Sequence, residues 1–187
     1  MRSRAFATIP LALLALGSAT LAAPKVAQQG QLIGKAPQFS AATADGKTYD
    51  IKTATKNGPV YLFFIKKDCP VTAGAMSFYT SISKAYGAKT PILGVFSGDA
   101  KELKAYNVEH KLPFPTVLDP KLTMIAAYKV ETSPWVVEVK ADGNVGKIWK
   151  GYSQDYLQQI NKSAAGAAGM PVAKVDFTEA PKEARYG

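Results

Sequence analysis

The single cysteine of the chain, Cys69, is the residue whose position most suggests chemistry. It follows Val60 to Ile65, six consecutive apolar residues that predict a strand buried on both faces in the middle of a sheet. Pro70 suits the first turn of a helix, because its missing N–H would have no partner there. The sequence therefore predicts that Cys69 lies where a central strand ends and a helix begins, with the helix running to about Tyr86.

A cysteine in this position is favoured as the thiolate. Unpaired backbone N–H groups and the positive end of the helix dipole stabilise a negative charge. Lys66 and Lys67 act in the same direction, and Asp68 opposes them. A lone cysteine is more often a small buried hydrophobic residue, but apolar packing does not require a strand–helix junction. Cys69 is therefore a candidate functional thiol.

The N-terminus has the pattern of a secretory signal peptide. Arg2 and Arg4 precede the apolar run from Ile9 to Leu16, and small residues follow up to a cleavage point after Ala22. Residues 1–22 are too short for a convincing membrane span, and no cysteine near the cleavage point could carry a lipid anchor. We expect the mature protein in a bacterial periplasm or outside the cell.

Composition narrows the remaining function classes. The formal charge of +9 falls to +7 once Arg2 and Arg4 are removed. The lysines are dispersed, and no basic cluster interleaved with aromatic residues points to nucleic acid. With one cysteine the chain has no internal disulfide, so its stability depends on packing. About 165 mature residues fit one domain, expected over residues 30–162.

The pattern of elements predicts a mixed sheet with helices on both sides. The predicted elements are a hairpin around Ala44–Gly46, strand Val60–Ile65, helix Val71–Tyr86, strand Pro91–Phe96, a helix capped by Asp99 or Ser97 and running to about His110, strand Thr116–Leu118, helix Lys121–Tyr128, strands Trp135–Val139 and Val145–Trp149 around Asp142–Gly143, and a helix from Ser153 to about Ile160. From residue 163 to 187 the composition changes, first to Ala and Gly and then to a polar, proline-containing stretch. This composition predicts an extended tail.

Several of these stretches, in this order, resemble the redoxin (AhpC/TSA-like) branch of the thioredoxin superfamily. The resemblance covers about Gly30 to Ile160. The matching stretches are Val60–Ile65 leading to Cys69-Pro70-Val71-Thr72, Phe114–Pro120, Ala127–Val130, and Thr132-Ser133-Pro134 before a strand and an Asp-Gly hairpin.

The resemblance implies an α/β, thioredoxin-like fold with a mixed central sheet flanked by helices and an N-terminal β-hairpin extension. It also implies that Cys69 is the attacking thiolate and that Pro70 shapes the start of its helix. The Ser133-Pro134 bond would match the family's cis-proline, with the backbone of Ser133 offered to an extended substrate.

One departure from the family restricts the chemistry. Dithiol members carry a second cysteine three residues after the first, where this chain has Thr72. A hydroxyl there, or the backbone N–H groups of the helix start, would donate a hydrogen bond to the thiolate. The remaining chemistry is that of a monothiol. Cys69 would attack a disulfide or an oxidant, and another thiol would resolve the mixed disulfide or sulfenic acid.

Peroxiredoxins are the main rival family, since they also use one attacking cysteine. They place a threonine three residues before it and an arginine nearby. Here Lys66 takes the threonine's position, and Arg185 is the only arginine outside the signal peptide. Lysine supplies a positive charge but not the planar guanidinium of arginine, which can form two parallel hydrogen bonds. The sequence therefore does not favour peroxide reduction by the usual arrangement of residues.

Metal binding and a non-catalytic role are two further hypotheses. Copper-delivery relatives have a second cysteine four residues after the first, where this chain has Ala73, and Cys69 with His110 is a poor ligand set. We therefore expect no metal or cofactor. A non-enzymatic binding module would use aromatic residues to line a groove, although at strand positions they are more often core: Tyr61, Phe63, Phe64, Trp135 and Trp149.

The sequence as a whole predicts an exported thiol oxidoreductase. Cys69, Thr72 and Pro70 would form the catalytic group, Ser133 and Pro134 the substrate platform, and Lys66 or Lys67 would lower the pKa of the thiol. The expected partners are a resolving thiol or reductant protein and a protein or small-molecule disulfide or peroxide.

Overall fold

The computed structural model of the protein describes residues 32–187. The predicted signal peptide, residues 1–22, and the lead that follows it lie outside these residues. Within the described range, none of the helices combines the length and the apolar character that crossing a membrane requires.

The chain forms seven strands and five helices over the described residues. In chain order they are β1 (Ser40–Ala42), β2 (Thr48–Asp50), α1 (Ile51–Ala54) followed by a 3₁₀ turn (Thr55–Asn57), β3 (Val60–Ile65), α2 (Pro70–Tyr86), β4 (Ile92–Phe96), α3 (Ala100–His110), β5 (Thr116–Leu118), α4 (Thr123–Ala127), β6 (Trp135–Val139), β7 (Val145–Lys150) and α5 (Gln154–Ala168).

The main sheet has five strands in the order β5-β4-β3-β6-β7. β3 is parallel to β4, which is parallel to β5, whereas β6 is antiparallel to both β3 and β7. The separate antiparallel pair β1–β2 forms the N-terminal hairpin. The predicted mixed sheet, its N-terminal hairpin and the central place of the strand before Cys69 are confirmed.

β3 separates two hydrophobic cores, because successive side chains of a strand point to opposite faces. Its odd-numbered residues pack with α2, α3 and α5, and its even-numbered residues pack with Ile51, Met124 and Tyr128 on the other face. Every residue of β3 is at most 2% exposed. Burial on both faces explains why the strand has no charged residue.

Two helices differ from their predicted bounds. The sequence predicts α4 from Lys121, but the helix begins at Thr123, because the Asp119 carboxylate accepts the N–H groups of Thr123 (2.7 Å) and Ile125 (2.9 Å). Leu122 then adopts a left-handed conformation with φ of 56°. Asp119, and not the proline that follows it, therefore sets the start of the helix.

The last helix is longer than expected. α5 continues past Ile160 to Ala168 and ends at Gly169, whose φ is 61°. Ala164, Ala165 and Ala168 of the added turns are buried in the core cluster that includes α2. Small side chains leave a weak apolar signal in the sequence, yet they let two helices approach closely. The short helix α1, which Asp50 caps by accepting the Thr53 N–H, was also not predicted.

Replacing Phe63 should test the inner core. Its ring centroid lies 4.4 Å from that of Tyr79 and 5.7 Å from that of Phe114. We expect Phe63→Ala to lower the free energy of unfolding by about 3–5 kcal/mol in urea denaturation, because it leaves a cavity. The matched control is Val108→Ala, at a residue 77% exposed, expected to change stability by less than about 0.5 kcal/mol. Equal effects would contradict the assigned core.

Candidate active site

Cys69 is the N-cap residue of α2. Its backbone is extended, with φ −98° and ψ 111°, and its sulfur accepts the backbone N–H of Thr72 with an Sγ–N distance of 3.4 Å. Pro70 follows at the first helical position. Cys69 is 5% exposed. The sequence placed the thiol correctly at the strand–helix junction, and the helix start supplies an N–H group to the sulfur.

The carbonyl of Ser133 also lies close to the sulfur. The Sγ of Cys69 is 3.8 Å from the Ser133 carbonyl oxygen, and the bond from Ser133 to Pro134 is cis. This brings together two parts of the chain that are 64 residues apart. The sulfur is thus held between the first turn of α2 and the residue that precedes Pro134 and β6.

The hydroxyl of Thr72 points to Ser133 and not to the sulfur. Its Oγ1 lies 2.6 Å from the Ser133 Oγ. The same Ser133 Oγ accepts the backbone N–H of Lys66 at 3.3 Å and lies 3.4 Å from the carbonyl oxygen of Phe64. The expectation that the Thr72 hydroxyl donates to the thiolate is therefore not met in this geometry. The backbone N–H of Thr72 therefore donates to the sulfur, and its side-chain hydroxyl hydrogen-bonds to Ser133.

The two lysines before the cysteine differ in their contacts. The ammonium group of Lys67 forms an ion pair with Glu102 on α3. This hydrogen bond raises the pKa of Lys67 and lowers that of Glu102. Lys66 is exposed, and its backbone N–H is the group that reaches the site. The charge of Lys67 is thus paired with a carboxylate, and the expected influence of the two lysines on the thiol stays a prediction.

The other candidates from the sequence lie in the core or at its edge. The five aromatic residues considered for a binding groove are at most 2% exposed. The His110 ring packs against that of Tyr106, with centroids 4.1 Å apart and the planes tilted by 39°, and its Nε2 lies 3.8 Å from a carboxylate oxygen of Glu109. Burial raises the pKa of Tyr106, and the charges of Glu109 and Cys69 raise it further. Among residues 32–187, no group of three or more His, Cys, Asp or Glu residues could hold a metal ion.

The 170–187 segment reaches the site. The backbone N–H of Gly187 donates to the Ser133 carbonyl oxygen at 2.8 Å, and the Ser133 N–H donates to the Gly187 oxygen at 2.9 Å. Arg185 makes the same reciprocal pair with Tyr152, at 2.9 Å in both directions. The sequence missed this contact, because backbone hydrogen bonds between distant segments leave no residue pattern.

A pocket of about 310 Å³ opens beside the site. Ser133 and Gly187 form part of its wall, and its other lining residues include apolar side chains and four charged groups. The apolar side chains include Phe64, Ile125 and Val130, and the charged groups are Lys66, Lys67, Asp68 and Glu131. The pocket adjoins the residues around Cys69 and offers room for a group attached to a substrate sulfur.

Comparison with known proteins agrees with this geometry. The sequence model of the AhpC/TSA family matches residues 33–148, more than half of the chain. The chain belongs to the AhpC/TSA family. No curated protein matches it by sequence.

Solved structures establish the fold of this AhpC/TSA protein as thioredoxin-like. A secreted Mycobacterium tuberculosis disulfide oxidoreductase homologous to E. coli DsbE has 22% identity and a TM-score of 0.59, covering 69% of this chain and 96% of its own. Peroxidoxin BcpB of the same organism has 14% identity and a TM-score of 0.59, covering 75% and 97%. The exposed lipoprotein thioredoxin of Streptococcus pneumoniae has 24% identity and a TM-score of 0.55, covering 67% and 99%.

A double-mutant cycle should measure the Thr72–Ser133 hydrogen bond. We expect Thr72→Val to lower the free energy of unfolding by about 1–3 kcal/mol, because it leaves the buried Ser133 hydroxyl without this partner. Thr72→Ser, which keeps the hydroxyl, is the control and should cost less. The double variant Thr72→Val/Ser133→Ala should be more stable than the two single effects added together predict, by about 0.5–3 kcal/mol. Strict additivity would show that the hydroxyls do not interact.

The Lys67–Glu102 pair predicts a pH dependence of stability. Lys67 holds the pKa of Glu102 below its ordinary value of 4.5, helped by the Asp99 N–H. A carboxyl with a lowered folded-state pKa stabilises the protein above its unfolded pKa, and the effect disappears as the pH falls through the lowered value. We expect Lys67→Gln to be less stable than wild type near pH 7, with a smaller difference near pH 3, by urea denaturation.

Lys66→Gln is the matched control for this prediction, since Lys66 is exposed and its role in the site is through its backbone. Its stability difference from wild type should not change with pH in this way. A Lys67→Gln effect of equal size at both pH values would contradict the assigned ion pair.

Proposed function

We propose that this AhpC/TSA protein is an exported thiol oxidoreductase in which Cys69 alone carries out thiol–disulfide exchange. One observation carries the proposal. The Cys69 sulfur lies between the Thr72 N–H at the start of α2 and the Ser133 carbonyl before Pro134. Packing would not require a sulfur to be placed against a helix N-terminus and a backbone edge.

The first step would form a mixed disulfide. The Cys69 thiolate attacks one sulfur of a substrate disulfide, the substrate S–S bond breaks, and the second substrate sulfur leaves as a thiolate. The N–H groups at the start of α2 stabilise the attacking charge. Cys69 and one half of the substrate are then joined, and the other half of the substrate has been reduced.

The second step would need an external thiol. Position 72 holds threonine, and the chain has no other cysteine that could attack the mixed disulfide. A thiolate of a small reductant or a reductant protein attacks it, so that Cys69 is released and a new disulfide joins the reductant to the bound substrate half. The partner class is therefore a thiol-containing reductant, together with a disulfide substrate.

Export is part of the proposal. It is supported by the signal-peptide pattern of residues 1–22 and by two neighbours of the same fold, one secreted and one an exposed lipoprotein. An oxidising compartment is also where disulfide substrates accumulate.

Peroxide reduction is the second chemistry that one thiol could perform. Peroxidoxin BcpB shares the fold, but the side chains around Cys69 do not favour peroxide reduction. Lys66 occupies the position of the peroxidase threonine and is exposed, and Lys67 is paired with Glu102. We therefore keep peroxidase activity and a purely binding role as outcomes of the test.

The test is the reaction of the folded protein with oxidised glutathione and, separately, with hydrogen peroxide, followed by intact-mass spectrometry. We expect a mixed disulfide on Cys69 with oxidised glutathione, reversed by added thiol, and no product in Cys69→Ser. Iodoacetamide alkylation of the native protein should block the reaction.

Two other results would overturn the proposal. Sulfenic acid formed by peroxide far faster than by a free cysteine would indicate a peroxidase. A thiol that reacts with no reagent until the protein is denatured would leave a binding module on a thioredoxin-like scaffold.

Restoring a second thiol should give a gain of function. In Thr72→Cys a second thiol stands three residues after Cys69, the spacing of the dithiol members, in place of the hydroxyl that bonds to Ser133. We expect an internal disulfide and multiple-turnover reduction of insulin disulfides with a small dithiol, where wild type gives little. Thr72→Ser is the control and should behave as wild type. No gain in a folded Thr72→Cys protein would argue against disulfide exchange at this site.

A further inference from the structure

The backbone edge of Ser133 is already occupied by the protein itself. Both its N–H and its carbonyl are hydrogen-bonded to Gly187, at 2.9 and 2.8 Å. These are the groups that an extended polypeptide would use to add itself as a strand beside the thiol. Because the two sets of hydrogen bonds are the same, the 170–187 segment and such a substrate cannot be bound at once.

Gly187 also lies directly against the thiol. A Cβ added at this glycine would be 2.9 Å from the Cys69 sulfur and 3.4 Å from a methyl carbon of Val71. Any larger residue in this register would have to shift. A second glycine fits the same path, since a Cβ at Gly151 would be 2.3 Å from the Arg185 oxygen, and Gly151 has a φ of 88°. At both contacts, Gly187 on the sulfur and Gly151 on Arg185, the absence of a Cβ lets the 170–187 segment pack closely.

The segment is anchored firmly at one end and lightly at the other. Phe177 and Ala180 are 7% and 4% exposed, and the Pro181 oxygen accepts the N–H of Gln154 at 2.9 Å. Residues 182–187, which we call the strap, are all exposed. Their hydrogen bonds to the domain are the two backbone pairs with Tyr152 and Ser133. No strap residue is buried in the core, so opening the strap would leave the core packed.

We propose that the strap is an internal pseudosubstrate that must leave Ser133 before Cys69 reacts with a polypeptide disulfide. This inference rests on the proposed function, and it names the substrate class as an extended polypeptide whose disulfide-bonded cysteine takes the position of Gly187. The closed strap lowers the rate with such a partner, because only the open fraction of molecules binds it. Small disulfides do not use the Ser133 backbone groups and require opening only to reach the sulfur.

The first experiment measures the second-order rate of mixed-disulfide formation on Cys69 with an unstructured peptide that contains one disulfide. The proteins are the full chain and a variant ending at Lys182, which retains the buried anchors Phe177 and Ala180. We expect the shortened variant to react at least about tenfold faster, because the closed strap lowers the reactive fraction. Arg185→Ala keeps the backbone pairs and should react as wild type.

Equal rates in the full and shortened chains would overturn the strap and leave the proposed function standing. A folded, shortened variant whose Cys69 reacts with neither peptide disulfide nor oxidised glutathione would overturn the proposed function and the strap with it. Circular dichroism and thermal unfolding establish that each variant is folded.

A second experiment needs no truncation. In a disulfide, the Cβ of one cysteine lies about 3 Å from the sulfur of the other, given an S–S bond of about 2.04 Å. The 2.9 Å between a Cβ at position 187 and the Cys69 sulfur meets this condition. With oxidised glutathione as the oxidant, two thiols are converted to one disulfide and two molecules of reduced glutathione are released.

We expect Gly187→Cys to form its internal disulfide with Cys69 at least about tenfold faster than Tyr186→Cys, measured by peptide mapping under non-reducing conditions. Tyr186 is the neighbouring residue and is 61% exposed, so a flexible tail would bring both positions to the thiol equally often. Equal rates, or a faster reaction at position 186, would overturn the proposed pairing.

Discussion

The hydroxyl of Ser133 joins the three parts of the chain that make the site. It accepts the Lys66 N–H after β3, contacts the Thr72 hydroxyl on α2, and lies near the Phe64 carbonyl inside β3. Ser133 has one proton to donate, and the Phe64 carbonyl can only accept. A consistent assignment has Thr72 donating to Ser133 and Ser133 donating to Phe64. The hydroxyl proton of Thr72 is then used in the bond to Ser133, which explains why this hydroxyl does not donate to the sulfur.

This assignment gives the threonine that replaces the second cysteine a structural role. Ser133 is 4% exposed and Thr72 is fully buried, so an unpaired hydroxyl at either place would cost about 1–3 kcal/mol. The pair holds the carbonyl of Ser133 at a fixed distance from Cys69. Thr72 therefore stabilises the platform beside the thiol, and the helix start supplies the N–H group.

Local signals account for what the sequence predicted well. The six apolar residues of β3 and the proline after Cys69 act through burial and backbone geometry, which are encoded in neighbouring residues. The Thr72–Ser133 pair spans 61 positions, and the added turns of α5 depend on alanines packed on another helix. The contact of Gly187 with Ser133 uses backbone atoms that every residue has. None of these leaves a periodic pattern.

In the proposed mechanism, a strap that uses the same hydrogen bonds as the substrate would have two opposite effects on turnover. It lowers the apparent affinity for a polypeptide, because part of the binding free energy is offset by opening the strap. It also favours release, since the closed state competes with the product for the Ser133 edge. In the proposed exchange an outside thiol must free Cys69, and a tightly bound product would block that edge. Return of the strap after the second step would displace the product. The single contact between Gly187 and Ser133 would thus both weaken substrate binding and speed product release.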